Sequence, residues 1–285
     1  MSDVIVAKTA GFCFGVKKAV DKAFEMAETG GEIYTYGPVI HNDEVIGALA
    51  DKGVKVLDTE EELKDLQSGT VILRSHGVGR SIIELLEKTG IDYIDVTCPF
   101  VKRIHDIVDK ESENNEIVII GNPKHPEVEG IVGWCRGDYS VIMTEEEAEA
   151  FKPKTSLPVC IVSQTTFNYK KFEKIVEILQ NKIYNSNVVN TICNATEKHQ
   201  KEARSIASEV DSMIVIGDLK SSNSRRLYEI CLEECDRTYF IRKLDDLLQT
   251  DFASDGSVGI TAGASTPNNI IEEVQNYVRN DKKRV

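Results

Sequence analysis

Two kinds of apolar pattern alternate along the chain. Short runs rich in Val, Ile, Tyr and Thr recur at VIVAK, IYTYG, VKVL, VILRS, YIDVT, EIVIIG, SVIM, VCIVS, NVVNTI, SMIVIG, TYFIR and SVGIT. Between them lie stretches such as VKKAVDKAFEMAE, whose apolar residues fall three and four apart. The first pattern predicts strands and the second amphipathic helices. Strand–helix alternation along the chain predicts parallel βαβ units and an α/β class. No Pro/Gly-rich linker or low-complexity segment divides it.

The cysteines offer a division instead. Cys13 (TAGFCFGVKKAV), Cys98 (IDVTCPFVKRI) and Cys193 (VNTICNATEKHQ) each stand where a strand gives way to a helix, 85 and 95 residues apart. Pro99 suits a first helical position. Free N–H groups and a positive dipole end at a helix start favour a thiolate. A first polar loop in each third (YGPVIHNDEV, IGNPKHPEVEG, IGDLKSSNSRRL) carries His41, His125 and Ser221, which lie 28, 27 and 28 residues after the cysteine. A second loop (LRSHGVGRS, IVSQTTFNYK, ITAGASTPNNI) carries His76, Thr165 and Ser265, at 63, 67 and 72 residues. This is a diverged internal triplication. It predicts three similar small α/β domains with parallel sheets, 13–97, 98–192 and 193–285, with a strand from residues 1–12 joining the last sheet. Polar loops at the carboxyl ends of parallel strands build sites in such sheets. A pseudo-threefold trefoil would therefore aim three cysteines and six loops at one central cavity.

Composition narrows the chemistry. The chain has 285 residues, 41% hydrophobic and 28% charged, which is ordinary for a folded protein. A net charge of −13 argues against nucleic acid as the main partner. No run of about 18 apolar residues and no signal-peptide pattern is present, so no membrane association and a cytoplasmic location are expected. Seven widely spaced cysteines, an odd number, argue for metal binding or catalysis over a disulfide framework. Three thiolates without a fourth equivalent suggest a metal centre with one open position. Zinc with a water and an iron–sulfur cluster with one iron not held by cysteine both satisfy this, and without a CxxC the spacing does not choose. The loops carry His41, His76, His125, Thr165, Thr166, Ser221, Ser222, Asn223 and Ser265, donors suited to a phosphate-accepting pocket. Glu127, in KHPEVEG, reads either as a proton donor in an enclosed site or as a favourable acid in a helix's first turn.

The remaining candidates have plainer readings. Cys135, Cys160, Cys231 and Cys235 are expected as packing residues, and Trp134 likewise. His105 and His199, among charged neighbours, are expected on surfaces. The acidic run at residues 145–149 reads as an exposed helix start. Lys17, Lys18, Lys102 and Arg103, one turn past two of the cysteines, could form a local basic patch, or simply a solvated helix face.

GFCFGV, VIHN, RSHGVG, VTCPFV, NPKHPEVEG, SQTT, SSNSRRL and TAGASTP occur in this order between about Ala10 and Pro267. Together they resemble the 4-hydroxy-3-methylbut-2-enyl diphosphate reductase family, which makes isoprenoid precursors in the methylerythritol phosphate route. The resemblance implies one 4Fe–4S cluster per chain, held by Cys13, Cys98 and Cys193, with the fourth iron open to substrate. It implies that His41, His76, His125, Ser221, Ser222, Asn223 and Ser265 bind the substrate's diphosphate, that Glu127 delivers protons, and that Thr165 and Thr166 serve the relay beside His125. The implied reaction is reductive loss of the hydroxyl of an allylic diphosphate, giving isopentenyl and dimethylallyl diphosphate, with ferredoxin or flavodoxin as electron donor. A three-domain trefoil is implied too. Phe14 stands where many members have alanine, and Arg74 precedes the Ser-His pair; neither removes a donor. A non-redox iron–sulfur lyase, an oxygen or iron sensor, and a zinc hydrolase are the competing readings, separated by reductant dependence, turnover and metal content.

Overall fold

The computed structural model describes residues 4–253 and 255–281; residues 1–3 and 282–285 of the expected first and last segments lie outside them. Twelve strands and twelve helices alternate among the described residues. After Cys13 come α1 (Phe14–Ala27), β2 (Ile33–Tyr36), α2 (Asp43–Asp51), β3 (Lys55–Leu57), α3 (Glu60–Lys64), β4 (Thr70–Leu73), α4 (Arg80–Thr89) and β5 (Asp92–Asp95), all preceded by β1 (Val4–Val6). After Cys98 come α5 (Pro99–Glu111), β6 (Glu116–Ile120), α6 (Pro126–Val132), β7 (Tyr139–Ile142), α7 (Glu145–Ala150), β8 (Val159–Ser163), α8 (Tyr169–Lys182) and β9 (Ser186–Val188). After Cys193 come α9 (Asn194–Ala207), β10 (Ser212–Ile216), α10 (Ser222–Glu234), β11 (Thr238–Ile241), α11 (Leu244–Leu248), β12 (Val258–Ala262) and α12 (Asn268–Asp281).

These strands form three parallel four-stranded sheets, ordered β3-β2-β4-β5, β7-β6-β8-β9 and β11-β10-β12-β1. The order is the same each time, and β1 fills in the third sheet the edge that β5 and β9 fill in the others. It pairs with β12 in the register Val4–Val258 to Val6–Ile260. Central strands β6, β8, β10 and β12 are buried along their whole length, which is why they read as near-continuous apolar runs. Thr59 with Glu62 and Thr144 with Glu147 form capping boxes that start α3 and α7. The acidic run at residues 145–149 thus begins a helix, as expected.

Contacts divide the chain into two compact units. One holds the first two sheets (residues 18–40 and 45–193), and the other holds the third sheet with residues 1–17 and 41–44. Backbone hydrogen bonds repeat from sheet to sheet. The N–H groups of Gly37, Gly121 and Gly217 donate to the carbonyls of Leu57, Ile142 and Ile241, which fixes the start of each first polar loop. The N–H groups of Cys98, Cys193 and Cys13 donate to the carbonyls of Ser75, Thr165 and Ala264 at 3.0, 3.0 and 3.4 Å. Each cysteine therefore closes the edge strand of the preceding sheet (β5, β9 or β1) against that sheet's second polar loop.

Candidate active site

Those hydrogen bonds set the register of the loops. Four residues after the marker glycine stand His41, His125 and Ser221; six residues after it stand Asp43, Glu127 and Asn223. In the second loops the cysteine-anchoring carbonyls make Ser75, Thr165 and Ala264 counterparts. The counterpart of His76 and Ser265 is consequently Thr166, not Thr165 as residue counting suggests. Counting drifts because the repeats differ in length, whereas the hydrogen bonds do not.

In the unit holding the first two sheets, Cys98 caps α5 and Cys193 directly precedes α9; both are half-buried and free of disulfides. His125 is the N-cap of α6, and its Nδ1 accepts the Glu127 N–H at 3.1 Å. That bond uses Nδ1 as an acceptor, which leaves Nε2 as the ring nitrogen able to donate. The His76 ring stands edge-on to it, with centroids 5.5 Å apart and an interplanar angle of 78°. Glu127, only 2% exposed, lies in the first turn of α6. Its Oε1 accepts the Thr165 N–H at 2.6 Å and its Oε2 accepts the Thr165 hydroxyl at 2.7 Å. Burial pushes this carboxyl up to about 7, against the two Thr165 hydrogen bonds, which favour the charged form. A carboxyl near neutrality, with a hydroxyl able to donate or accept, is suited to giving up a proton. Thr166 is half-buried.

In the other unit, Cys13 precedes α1, half-buried and free, and its carbonyl accepts the Lys17 N–H at 2.9 Å. The strand leading to it is pinned by Glu202 of α9, whose carboxylate takes the N–H groups of Lys8 and Thr9 at 2.9 and 2.8 Å and the Thr9 hydroxyl at 2.6 Å. Ser221 caps α10 through the Ser224 N–H, and Ser222 and Asn223 open the helix. The amide oxygen and nitrogen of Asn223 and the Ser265 hydroxyl are buried without a hydrogen-bond partner. His41 belongs to this unit, on the segment whose Asp43 pairs with Lys220 at 3.2 Å. A cavity of about 380 Å³ runs between Asn42–Glu44, Gly217–Asp218, Arg242–Lys243 and Ile270.

Several residues had no role in the sequence reading. Gln164 ties the two loops of the second repeat, its Oε1 accepting the Asn122 N–H at 3.1 Å and its Nε2 donating to the Thr166 hydroxyl at 3.2 Å. Ser224 is fully buried, and a Cβ on Gly217 or Gly263 would stand 2.3 or 1.9 Å from its Oγ. Only glycines in both loops let α10 close down on them. His105 and His199 are buried, contrary to expectation. Each lies on the inward stripe of its helix, His105 beside Val101, Ile104 and Val108 and His199 beside Thr196 and Ala203. Trp134, Cys160, Cys231 and Cys235 pack as expected, Trp134 against a core and the three thiols buried. Lys102 is held by Asp95 at 2.6 Å.

Comparison with known proteins places this geometry. Residues 4–279 match the family model described as LytB protein. The curated 4-hydroxy-3-methylbut-2-enyl diphosphate reductase of Caldanaerobacter subterraneus subsp. tengcongensis is 42% identical over 98% of each chain. That of Clostridioides difficile is 40% identical over 98% of this chain and 99% of its own. The solved reductase structure from Plasmodium falciparum aligns with a TM-score of 0.87 at 26% identity, over 98% of this chain and 87% of that one. A second solved reductase, described as the terminal enzyme of the non-mevalonate pathway, aligns with a TM-score of 0.68 at 39% identity, over 98% of this chain and 100% of that one. Three like sheets, the cysteine-closed edges and full-length similarity agree, and the chain belongs to the LytB protein family.

Proposed function

We propose that this chain is a 4-hydroxy-3-methylbut-2-enyl diphosphate reductase, which converts that substrate to isopentenyl and dimethylallyl diphosphate and so supplies isoprenoid precursors. The observation that carries the reading is Glu127, buried, near neutrality and bonded through both oxygens to Thr165 beside His125. The names of relatives about 40% identical over nearly their full length support it.

The site residues divide by task. Cys13, Cys98 and Cys193, thiols outside any disulfide in corresponding places at strand ends, fit an iron–sulfur cluster with three cysteine ligands and one iron left open to substrate. The orphaned Asn223 amide and Ser265 hydroxyl fit a ligand's oxygens, and with His41, His76, His125, Thr166, Ser221 and Ser222 they would hold the diphosphate. The cluster, one 4Fe–4S per chain, would supply electrons and Lewis-acid assistance to loss of the hydroxyl. Two electrons and two protons balance the reaction. The C–O bond breaks, one proton leaves with the hydroxyl as water, and one forms a C–H bond at either end of the allyl fragment. Glu127 donates from its buried carboxyl, Thr165 holds that carboxyl, and His125 orients the helix turn that carries it. We read the chain as three repeats, 13–97, 98–192 and 193–285 with the N-terminal strand, each sheet ending in one cysteine loop. Ferredoxin or flavodoxin as donor and a cytoplasmic location complete the proposal. No helix among the described residues is long and apolar enough to cross a membrane.

The test is iron, zinc and acid-labile sulfide per chain on protein purified without air, followed by reductant-dependent turnover. About four irons and four sulfides are expected, lost on Cys13→Ser, Cys98→Ser or Cys193→Ser. Zinc without sulfide, or turnover without a reductant, overturns the reading.

A further inference from the structure

The loop Ser75–Gly79, which carries His76, is gripped through its backbone. Trp134 Nε1 donates to the Val78 carbonyl at 2.9 Å. The His105 ring lies flat on Trp134, centroids 5.4 Å apart and planes 18° apart, and the Arg80 guanidinium sits 4.9 Å from the Trp134 ring centroid. His105 also reaches the loop. A Cβ on Gly77, which has φ +76°, would stand 2.6 Å from its Cε1. Burial pushes the His105 imidazole down to about 4, so a neutral ring occupies this place at neutral pH.

Helix α6 approaches the same backbone. A Cβ on Gly133 would fall 2.5 Å from Gly79 Cα, and one on Gly130 would fall 3.4 Å from the Gly77 carbonyl carbon. The first turn of α6 bears His125 and Glu127. The backbone of residues 77–79 thus meets both His105 and the glycine edge of the helix that carries the proton donor. That double contact places the His76 ring 5.5 Å from His125.

We infer that Trp134 and His105 are positioning residues for the reaction: their stack, with the indole N–H on the Val78 carbonyl, seats loop 75–79 against α6 and sets His76 beside His125. This rests on the proposal that His76 contacts the substrate's diphosphate. An apolar side chain could fill the space, but it could not hold the carbonyl two residues from His76.

The experiment uses the anaerobic holoenzyme and inorganic pyrophosphate, with dissociation constants for wild type, Trp134→Phe, His76→Ala and the double variant. Trp134→Phe keeps an aromatic ring and removes the N–H. Losing one hydrogen bond predicts roughly five- to tenfold weaker pyrophosphate binding and a similar rise in KM, with kcat within about twofold. In the His76→Ala background the second change should cost less than about twofold, because both act through one side chain. If His76→Ala binds pyrophosphate like wild type, the reading of His76 fails and the inference falls with it. If His76→Ala weakens binding but Trp134→Phe does not, or if the two losses add in full, the stack is packing alone and only the inference is overturned. A lowered thermal midpoint without the coupled change in affinity counts as that second result.

Discussion

The first polar loops of the second and third repeats share one backbone frame and use it oppositely. Gly121 and Gly217 open them with equivalent hydrogen bonds, His125 and Ser221 cap the helices that follow, and Glu127 and Asn223 stand two residues beyond the caps. In the second repeat the polar group is fully satisfied from within, both carboxyl oxygens being taken by Thr165. In the third, neither amide atom of Asn223 has a partner, and the Ser265 hydroxyl shares that state. A buried polar group left unsatisfied costs about 1–3 kcal/mol, so the protein carries such a group at the expense of its own stability. One frame therefore yields a carboxyl held from within in one repeat and a buried amide without a protein partner in another, which the proposed function assigns to proton delivery and to a ligand's oxygens. In the first repeat the matching residue, Asp43, is instead ion-paired with Lys220.

The largest test of that contrast is Glu127→Gln. Loss of a positioned proton donor should reduce kcat by about 10²- to 10⁴-fold, while pyrophosphate affinity stays within about twofold. The same variant has a second readout. Glu127 is raised from the usual 4.5 to about 7 on folding, so its contribution to stability is fully present below pH 4.5 and is lost as pH rises through 7. The shift corresponds to about 3 kcal/mol at most. Denaturation measured at pH 5 and pH 8 should show wild type losing stability between them by an amount that Glu127→Gln does not. A variant that loses pyrophosphate but keeps turnover would reverse the roles of the two repeats.

Asn223→Leu probes the other side. Replacing the orphaned amide with an apolar group of similar size removes a desolvation cost, so the thermal midpoint of the ligand-free protein should rise. KM should increase about tenfold or more, since the cradle loses two polar atoms. Stability and affinity moving in opposite directions is the signature of a group kept for a ligand. A midpoint that falls, with KM unchanged, would make Asn223 an ordinary core residue.

Much of this frame was legible in the chain. Central parallel strands such as EIVII and SMIVI are apolar on both faces, so they stand out without any knowledge of their partners. Edge strands are half-exposed and blur; NVVNTI marks β9, yet the strand itself is Ser186–Val188. The burial of His105 was also written in its spacing, one residue after Ile104 and four after Val101, but the charges of Lys102 and Arg103 obscured it. His199 lacked even that signal, because its buried stripe is built of Thr, Gln and Ala. The pairing of Glu127 with Thr165 joins positions 38 residues apart, and no local pattern distinguishes Thr165 from Thr166. The partnerless state of Asn223 is likewise a property of what surrounds it after folding.

The smallest expected effect is the most specific to the second repeat. Thr165→Val removes the hydroxyl from Glu127 Oε2 and leaves the backbone N–H on Oε1. Both bonds favour the charged carboxylate, so losing one lets burial raise the pKa further. The carboxyl then stays protonated to higher pH, and the alkaline limb of the kcat profile should move upward by about one unit or less. Thr165→Ser, which keeps the hydroxyl, should leave the limb in place. A limb that moves downward in Thr165→Val would mean that the proton leaves from a group other than Glu127, and the second repeat would then differ from the third in packing alone.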